Sequence, residues 1–190
     1  MTERHPVVSV IGDARLEDPQ RIQEARHLGA GLIAAGFRIV TGGLGGVMEA
    51  VSFGARHCAH WRDGLIIGML PSYRASDANP WCDIVIPTGM QLARNVLVVA
   101  AADVVIAVGG GAGTLSEIAL ASQLGKPIIA LGPHGWAGRV AGAILDGRST
   151  SVVRGCPSVD EAVAACVEAL AGAREAGDLG SGFRRPDRVP

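Results

Sequence analysis

The chain is poor in aromatic residues, which fill 4% of its 190 positions although hydrophobic residues reach 48%. Its core must therefore be built from Val, Ile, Leu and Ala, a composition suited to parallel sheets covered by helices. An excess of positive charge is also missing, with 17 Lys and Arg against 18 Asp and Glu. Without a general positive field, neither nucleic acid nor an anionic membrane is an expected partner. The four cysteines, Cys58, Cys82, Cys156 and Cys166, form no CxxC pair, which argues against a zinc knuckle and against a thioredoxin-type redox site. No apolar leader precedes the first strand-like run. The most apolar stretch, 96–108, is broken by Asp103 and falls short of the roughly 20 residues that a spanning helix needs. A cytoplasmic protein with reduced thiols is expected.

What is present is a regular alternation. Short β-branched runs at 7–11, 37–41, 65–70, 84–86, 104–108 and 128–131 are separated by stretches with helical spacing. Between the first two runs, Ile22, Ala25, Leu28, Leu32 and Ile33 recur at helical intervals and Gly36 stands at a helix stop, as in a βαβ unit. Strand alternating with helix predicts an α/β fold: a single Rossmann-like domain over 1–171, its open, mostly parallel sheet covered by helices on both faces. At 190 residues one domain can bury enough surface to stand without disulfides or a structural metal. The segment 172–190, rich in Gly, Arg, Asp and Pro, reads as a flexible tail. The polar, proline-containing stretch 71–81 reads as a surface loop at the strand ends.

Two strand-to-helix turns carry the functional signal. The first contains Thr41, Gly42, Gly43, Gly45 and Gly46; the second runs Gly109, Gly110, Gly111, Ala112, Gly113, Thr114. An anion approaches a backbone closely only where side chains are absent, and the first turn of a helix offers unpaired N–H donors with the positive end of its dipole. Glycines also serve simply to tighten βα connections, but two such turns in one parallel sheet favour anion binding, because open sheets hold ligands at the carboxyl ends of their strands. No Lys follows the last glycine of the second turn, so the triphosphate-binding P-loop pattern is absent. Thr41 and Thr114 are the preferred hydroxyl contacts, although such residues also cap helices.

Several side chains join these turns as candidates. Met90 and Arg94, four apart, would share one face of a helix following Pro87. Arg94 suits a phosphate or sugar hydroxyl through its planar fork, and its alternative is an ordinary ion pair. Glu117 has a strong structural alternative, since Thr114 to Glu117 reads as a T-x-x-E capping box. Asp13, after Gly12 and the first strand, could face a ligand or cap the next helix. His57 and His60, in HCAH, lack the further ligands of a metal site. Trp136 could flank a ligand ring, but packing on the sheet is the commoner role.

The run GGAGTLSE, 110–117, resembles the GGxGTxxE signature of the LOG (Lonely Guy) superfamily, whose members once carried the name lysine decarboxylase. Arg94, 23 positions before Glu117, and TGGLGGVME in the first turn fit the same pattern. The similarity spans 7–131. In GVMEAV, ARN and GTLSEIALA it is closer to a sister branch that includes molybdenum cofactor carrier proteins. Gly109, Asn95 and Ser116 stand where the phosphoribohydrolases of the superfamily carry Pro, Lys and Glu.

The resemblance implies a binding protein for an AMP-like nucleoside monophosphate or for molybdenum cofactor, held by Gly12, Asp13 and the two turns. It also implies a homodimer or larger homo-oligomer packed through the helices bearing Arg94 and Thr114. Two other functions stay open. One is a metal-independent phosphoribohydrolase in which Arg94 and Glu117 orient the ribose while the N-glycosidic bond breaks, needing no cofactor. The other is a nucleotide sensor without turnover.

Overall fold

The structure, a computed structural model, describes residues 4–147 and 151–175. Seven strands are present among them: β1 (Val7–Gly12), β2 (Arg38–Thr41), β3 (Ile66–Leu70), β4 (Ile84–Pro87), β5 (Val104–Val108), β6 (Ile128–Leu131) and β7 (Arg154–Cys156). All pair in parallel, in the order β4-β3-β2-β1-β5-β6-β7. The helices are α1 (Pro19–Ala34), α2 (Val47–Arg56), α3 (Asn95–Ala100), α4 (Ala112–Gln123), α5 (Gly135–Val140) and α6 (Val159–Glu175). This is the Rossmann-like α/β sheet expected from the alternation of strand and helix.

Because successive strand side chains point to opposite faces, each central strand feeds two cores. From β5, Val104, Ile106 and Val108 join Leu28, Leu32, Val51, Ala162 and Cys166 under α1, α2 and α6. Val105 and Ala107 join Val98, Val99, Ile118, Ala121 and Ala137 under α3, α4 and α5. All five β5 residues are buried, which is why this strand reads as an unbroken apolar run and not as an alternation. Truncation of a fully buried branched residue such as Ile106 in such a core costs about 2–5 kcal/mol.

The chain moves outward from β1 to β4, then returns to place β5 on the other side of β1. The crevice beyond the carboxyl ends of β1 and β5 is therefore the topological switch point, where the flanking loops must part to opposite faces. The first helix starts cleanly: the Asp18 side chain accepts from the Gln20 amide at 2.9 Å and Pro19 fills the first turn, a favourable N-terminal pairing.

Two expectations need correction. The sheet has a seventh strand, β7, which three residues, Arg154, Gly155 and Cys156, are too few and too polar to announce. The last helix continues through Glu175, past Gly172; the remainder of the expected tail, 176–190, lies outside the described residues. Among the described residues no helix is long and apolar enough to cross a membrane.

At the amino end of the sheet, the fully buried carboxylate of Asp83 ties three elements together. It accepts from the Leu65 and Ile66 amides at 3.0 Å each, from Trp61 Nε1 at 3.1 Å and from Arg56 at 2.5 Å. The Arg56 guanidinium also lies over the Trp61 ring, 3.8 Å from its centre. His57 and Cys58 follow the end of α2. The His57 ring stacks on Phe53, with centroids 4.1 Å apart, and its Nδ1 lies 2.8 Å from the Phe53 carbonyl.

Candidate functional site

A cleft of about 570 Å³ opens at the switch point. Of the residues singled out from the sequence, Gly12, Asp13, Gly42, Arg94, Gly111, Gly113, Thr114 and Glu117 line it. The two turns thus face one cavity, with β1 contributing between them.

The second turn reaches its shape through positive backbone angles at Gly109 (φ 64°) and Gly110 (φ 95°), a region that side chains disfavour. The carbonyl of Gly109 accepts from Ala137 at 2.9 Å and that of Gly110 from Trp136 at 3.0 Å, so the start of α5 holds the turn from behind. Helix α4 then begins at Ala112, with Gly111 as an N-cap that provides no side-chain bond. The first intrahelical bond runs from Leu115 N–H to the Gly111 carbonyl at 3.0 Å. The amides of Ala112, Gly113 and Thr114 precede it and sit at the positive end of the helix dipole.

The expected capping box at Thr114 and Glu117 does not form. The helix starts two residues earlier, so Thr114 is already inside its first turn. There its Oγ1 donates to the Gly12 carbonyl at 3.2 Å, locking β1 to α4. Glu117 is thereby released from any capping duty and faces Arg94, Oε1 to Nη1 at 3.6 Å. That separation is beyond good hydrogen-bonding range, although both side chains are nearly buried, at 8% and 10% exposure. Arg94 Nε is buried without a partner. Burial raises the Glu117 carboxyl from its ordinary value near 4.5 to about 7, and Arg94 offsets this only in part. Burial likewise lowers the Arg94 guanidinium against the opposing pull of Glu117. For each partner, desolvation outweighs mutual attraction.

Gly42 gives Arg94 its place. A Cβ at this position would overlap the guanidinium, so only glycine lets the cation lie flat against the end of β2. Asp13 lines the cleft but is already engaged, accepting from Arg21 of α1 at 2.6 Å. Ser116 donates to the Gly113 carbonyl at 2.7 Å and Asn95 donates to Ser116 Oγ at 3.5 Å. The pair therefore joins the start of α3 to the start of α4.

Other candidates stand back from the cavity. Thr41 is fully buried, and its Oγ1 accepts from the Gly43 amide at 3.0 Å; it shapes the first turn and does not line the cleft. Met90 is a correction. Gln91–Arg94 form a 3-10 turn instead of an α-helix, so residues four apart do not share a face, and Met90 lies outside the cleft at 44% exposure. Gly43, Gly109, Gly110 and Ala112 support the turns without lining the cavity. Trp136 packs against the core beneath α5.

Among the lining residues that escaped the sequence reading are Arg15, Leu44, Met48, Pro71, Gln91 and Leu92. Arg15 lies two residues after Asp13 and Met48 two residues after the first turn, so both were within reach of it. Gln91 had no sequence signal: it is the only non-glycine residue with positive φ among the described residues, at 51°. The left-handed region costs such a residue about 1–2 kcal/mol.

The fold and the cleft define a class of protein, a doubly wound α/β domain with an arginine-bearing cleft between two glycine turns at its switch point. Within that class the chain belongs to the SLOG cluster4 family, whose model matches residues 5–162. This places it in the LOG-like superfamily that its motifs resemble. Among solved structures, it is similar to the molybdenum cofactor binding protein of the phototrophic bacterium Rippkaea orientalis. The two share 34% identity over 91% of this chain and 99% of the other, with a TM-score of 0.75. It is also similar to the Moco carrier protein of Chlamydomonas reinhardtii, at 30% identity over 89% and 99% of the two chains and a TM-score of 0.74. An uncharacterized protein of Archaeoglobus fulgidus is 41% identical over 127 residues, 66% of this chain and 80% of its own.

Proposed function

We propose that the cleft binds a phosphorylated nucleotide- or pterin-like small molecule, and that the chain serves as a carrier for molybdenum cofactor in the manner its relatives' names describe. The observation that carries this reading is the incompletely paired cation at the cleft wall. Arg94 is buried, its Nε has no partner and its nearest carboxylate stands 3.6 Å away. A buried polar group without a partner costs free energy that an incoming anion recovers. The free amides at the start of α4 and the exposed Arg15 add donors of the same sign preference. Together these groups suit a phosphate ester; Arg94 and the α4 amides would hold it. As cargo, the cofactor would be protected in the cleft and released unchanged.

The test is direct binding. Purified protein titrated with AMP, with a pterin monophosphate and with molybdenum cofactor should show saturable binding, tightest for the pterin-type ligand under the carrier reading. Absence of binding to all three would sink it.

A second reading is favoured by Glu117. A carboxyl with a pKa of about 7 is poised for proton transfer near neutrality, which fits a hydrolase cleaving the N-glycosidic bond of a nucleoside monophosphate. Release of free base from AMP, abolished in Glu117→Gln, would select this reading over the carrier; binding without turnover would select the carrier or a sensor.

We also propose a homodimer or larger assembly through α3 and α4. Leu92, Val96 and Leu97 are exposed, Leu92 at 81%. The only ionisable side chain between Gly89 and Ala101 is the buried Arg94. A contiguous apolar face free of charge suits a symmetric contact with a second copy. Sedimentation should give a mass above that of the monomer, reduced to the monomer by Leu92→Glu.

A further inference from the structure

The cleft has two chemically different ends. One end, beyond β1 and β5, holds Gly12, Gly111, Gly113 and Thr114 with the α4 amides; the other, beyond β2 and β3, holds Leu44, Met48, Pro71 and Leu92. Gln91 is the uncharged polar side chain at the second end. It sits in the left-handed region at φ 51°, and its amide donates to the Pro71 carbonyl at 3.0 Å, fixing the turn beside β3. Its carboxamide makes no hydrogen bond to any described residue.

Three features therefore coincide at one residue. The backbone is held where glycine would be relaxed, the position lines the cavity, and the side chain offers both a donor and an acceptor without an internal partner. Strain of this kind persists where the surroundings enforce it, and it clusters at ligand sites.

We propose that Gln91 is a specificity-determining residue that reads the heterocycle of the ligand. Resting on the phosphate-binding reading above, this assigns the apolar end of the cleft to a flat ring whose edge presents an adjacent donor and acceptor, as purines and pterins do. Three strand spacings separate β3 from β5, about 14 Å. Less the reach of the glutamine side chain, that distance suits a ring joined to its phosphate through further atoms. A bare phosphate or small sugar phosphate would occupy only the α4 end. Met48, Leu44 and Pro71 supply the apolar surfaces against which such a ring would lie.

The experiment compares the wild type with Gln91→Gly and Gln91→Glu, using ribose 5-phosphate, AMP and a pterin monophosphate as probes in calorimetric titrations, with thermal unfolding of each free protein. Glycine relaxes the backbone, so the Gln91→Gly protein should unfold at a higher temperature than the wild type. It should nevertheless bind whichever heterocyclic probe the wild type prefers about tenfold more weakly, with ribose 5-phosphate affinity unchanged. Gln91→Glu, which keeps the shape and loses the donor, should alter the preference between AMP and the pterin. Equal affinity of the wild type and Gln91→Gly for the heterocyclic probes would overturn the role of Gln91 and leave the phosphate site standing. Equal loss for all three probes would also overturn it, by making Gln91 a structural support. A wild type that binds none of the probes would overturn the phosphate-binding reading and this proposal with it.

Discussion

Two arginine–carboxylate pairs lie at opposite ends of the same sheet, and they are built to different standards. At the amino end, Asp83 accepts four hydrogen bonds, from two amides, an indole and Arg56. At the carboxyl end, Glu117 and Arg94 stand 3.6 Å apart with a guanidinium nitrogen left over. A buried ion pair repays its desolvation only when the remaining hydrogen bonds are made. The first pair makes them within the chain and works as a structural joint. The second leaves them to something outside the chain, as expected for a site that binds.

The largest effect should come from breaking the amino-end pair. Asp83→Ala leaves two strand amides, an indole N–H and a guanidinium without their acceptor, and should cost about 3 kcal/mol or more in urea unfolding. The surviving folded protein should bind ligand normally. A loss below about 1 kcal/mol would erase the contrast between the two ends.

Arg94→Ala should reverse that pattern. Binding of a monophosphate should weaken by about tenfold to a hundredfold, the worth of a charge-assisted bond. Stability should change less, because Glu117 can answer the loss of its partner by taking up a proton. Gly42→Ala should reproduce part of the affinity loss by displacing the guanidinium. Unaltered affinity in both variants would mean that the loose pair is not the binding site.

A further effect is in pH dependence. Since the folded Glu117 carboxyl titrates near 7 and the unfolded one near 4.5, the folded state holds the extra proton between those values. Stability should therefore fall as pH rises from about 4.5 to about 7 through this group, and the loss should level off above that. Glu117→Gln should remove this component of the slope. A bound phosphate should raise the Glu117 value further by placing a second negative charge nearby. Unfolding curves taken at several pH values, with and without ligand, would reveal either change.

Much of this was legible in the sequence because it depends on local chemistry. Six strands announced themselves through β-branched runs, and the glycine turns through their spacing. Arg94 and Glu117 followed from the motif. What escaped was whatever depended on the partner across the cleft. Strand β7 exists because β6 offers it an edge, since its own residues favour nothing in particular. Thr114 looked like a cap, but the Gly12 carbonyl claims its hydroxyl. Met90 looked helical, yet the chain turns too tightly after Pro87, and the same tight turn holds Gln91 in a conformation that a propensity argument would assign to glycine.

The bonds from α5 to Gly109 and Gly110 also bear on the entropy of binding. Three successive glycines would ordinarily sample many conformations, and ordering each on contact with a ligand would cost about 1–2 kcal/mol. Here Trp136 and Ala137 have ordered two of them in advance, so that cost falls on folding and not on association. A small anion, with few atoms to contribute, depends most on such preorganisation. The βα unit that follows the site, though it lines none of the cleft, helps to set how tightly the cleft can hold what enters it.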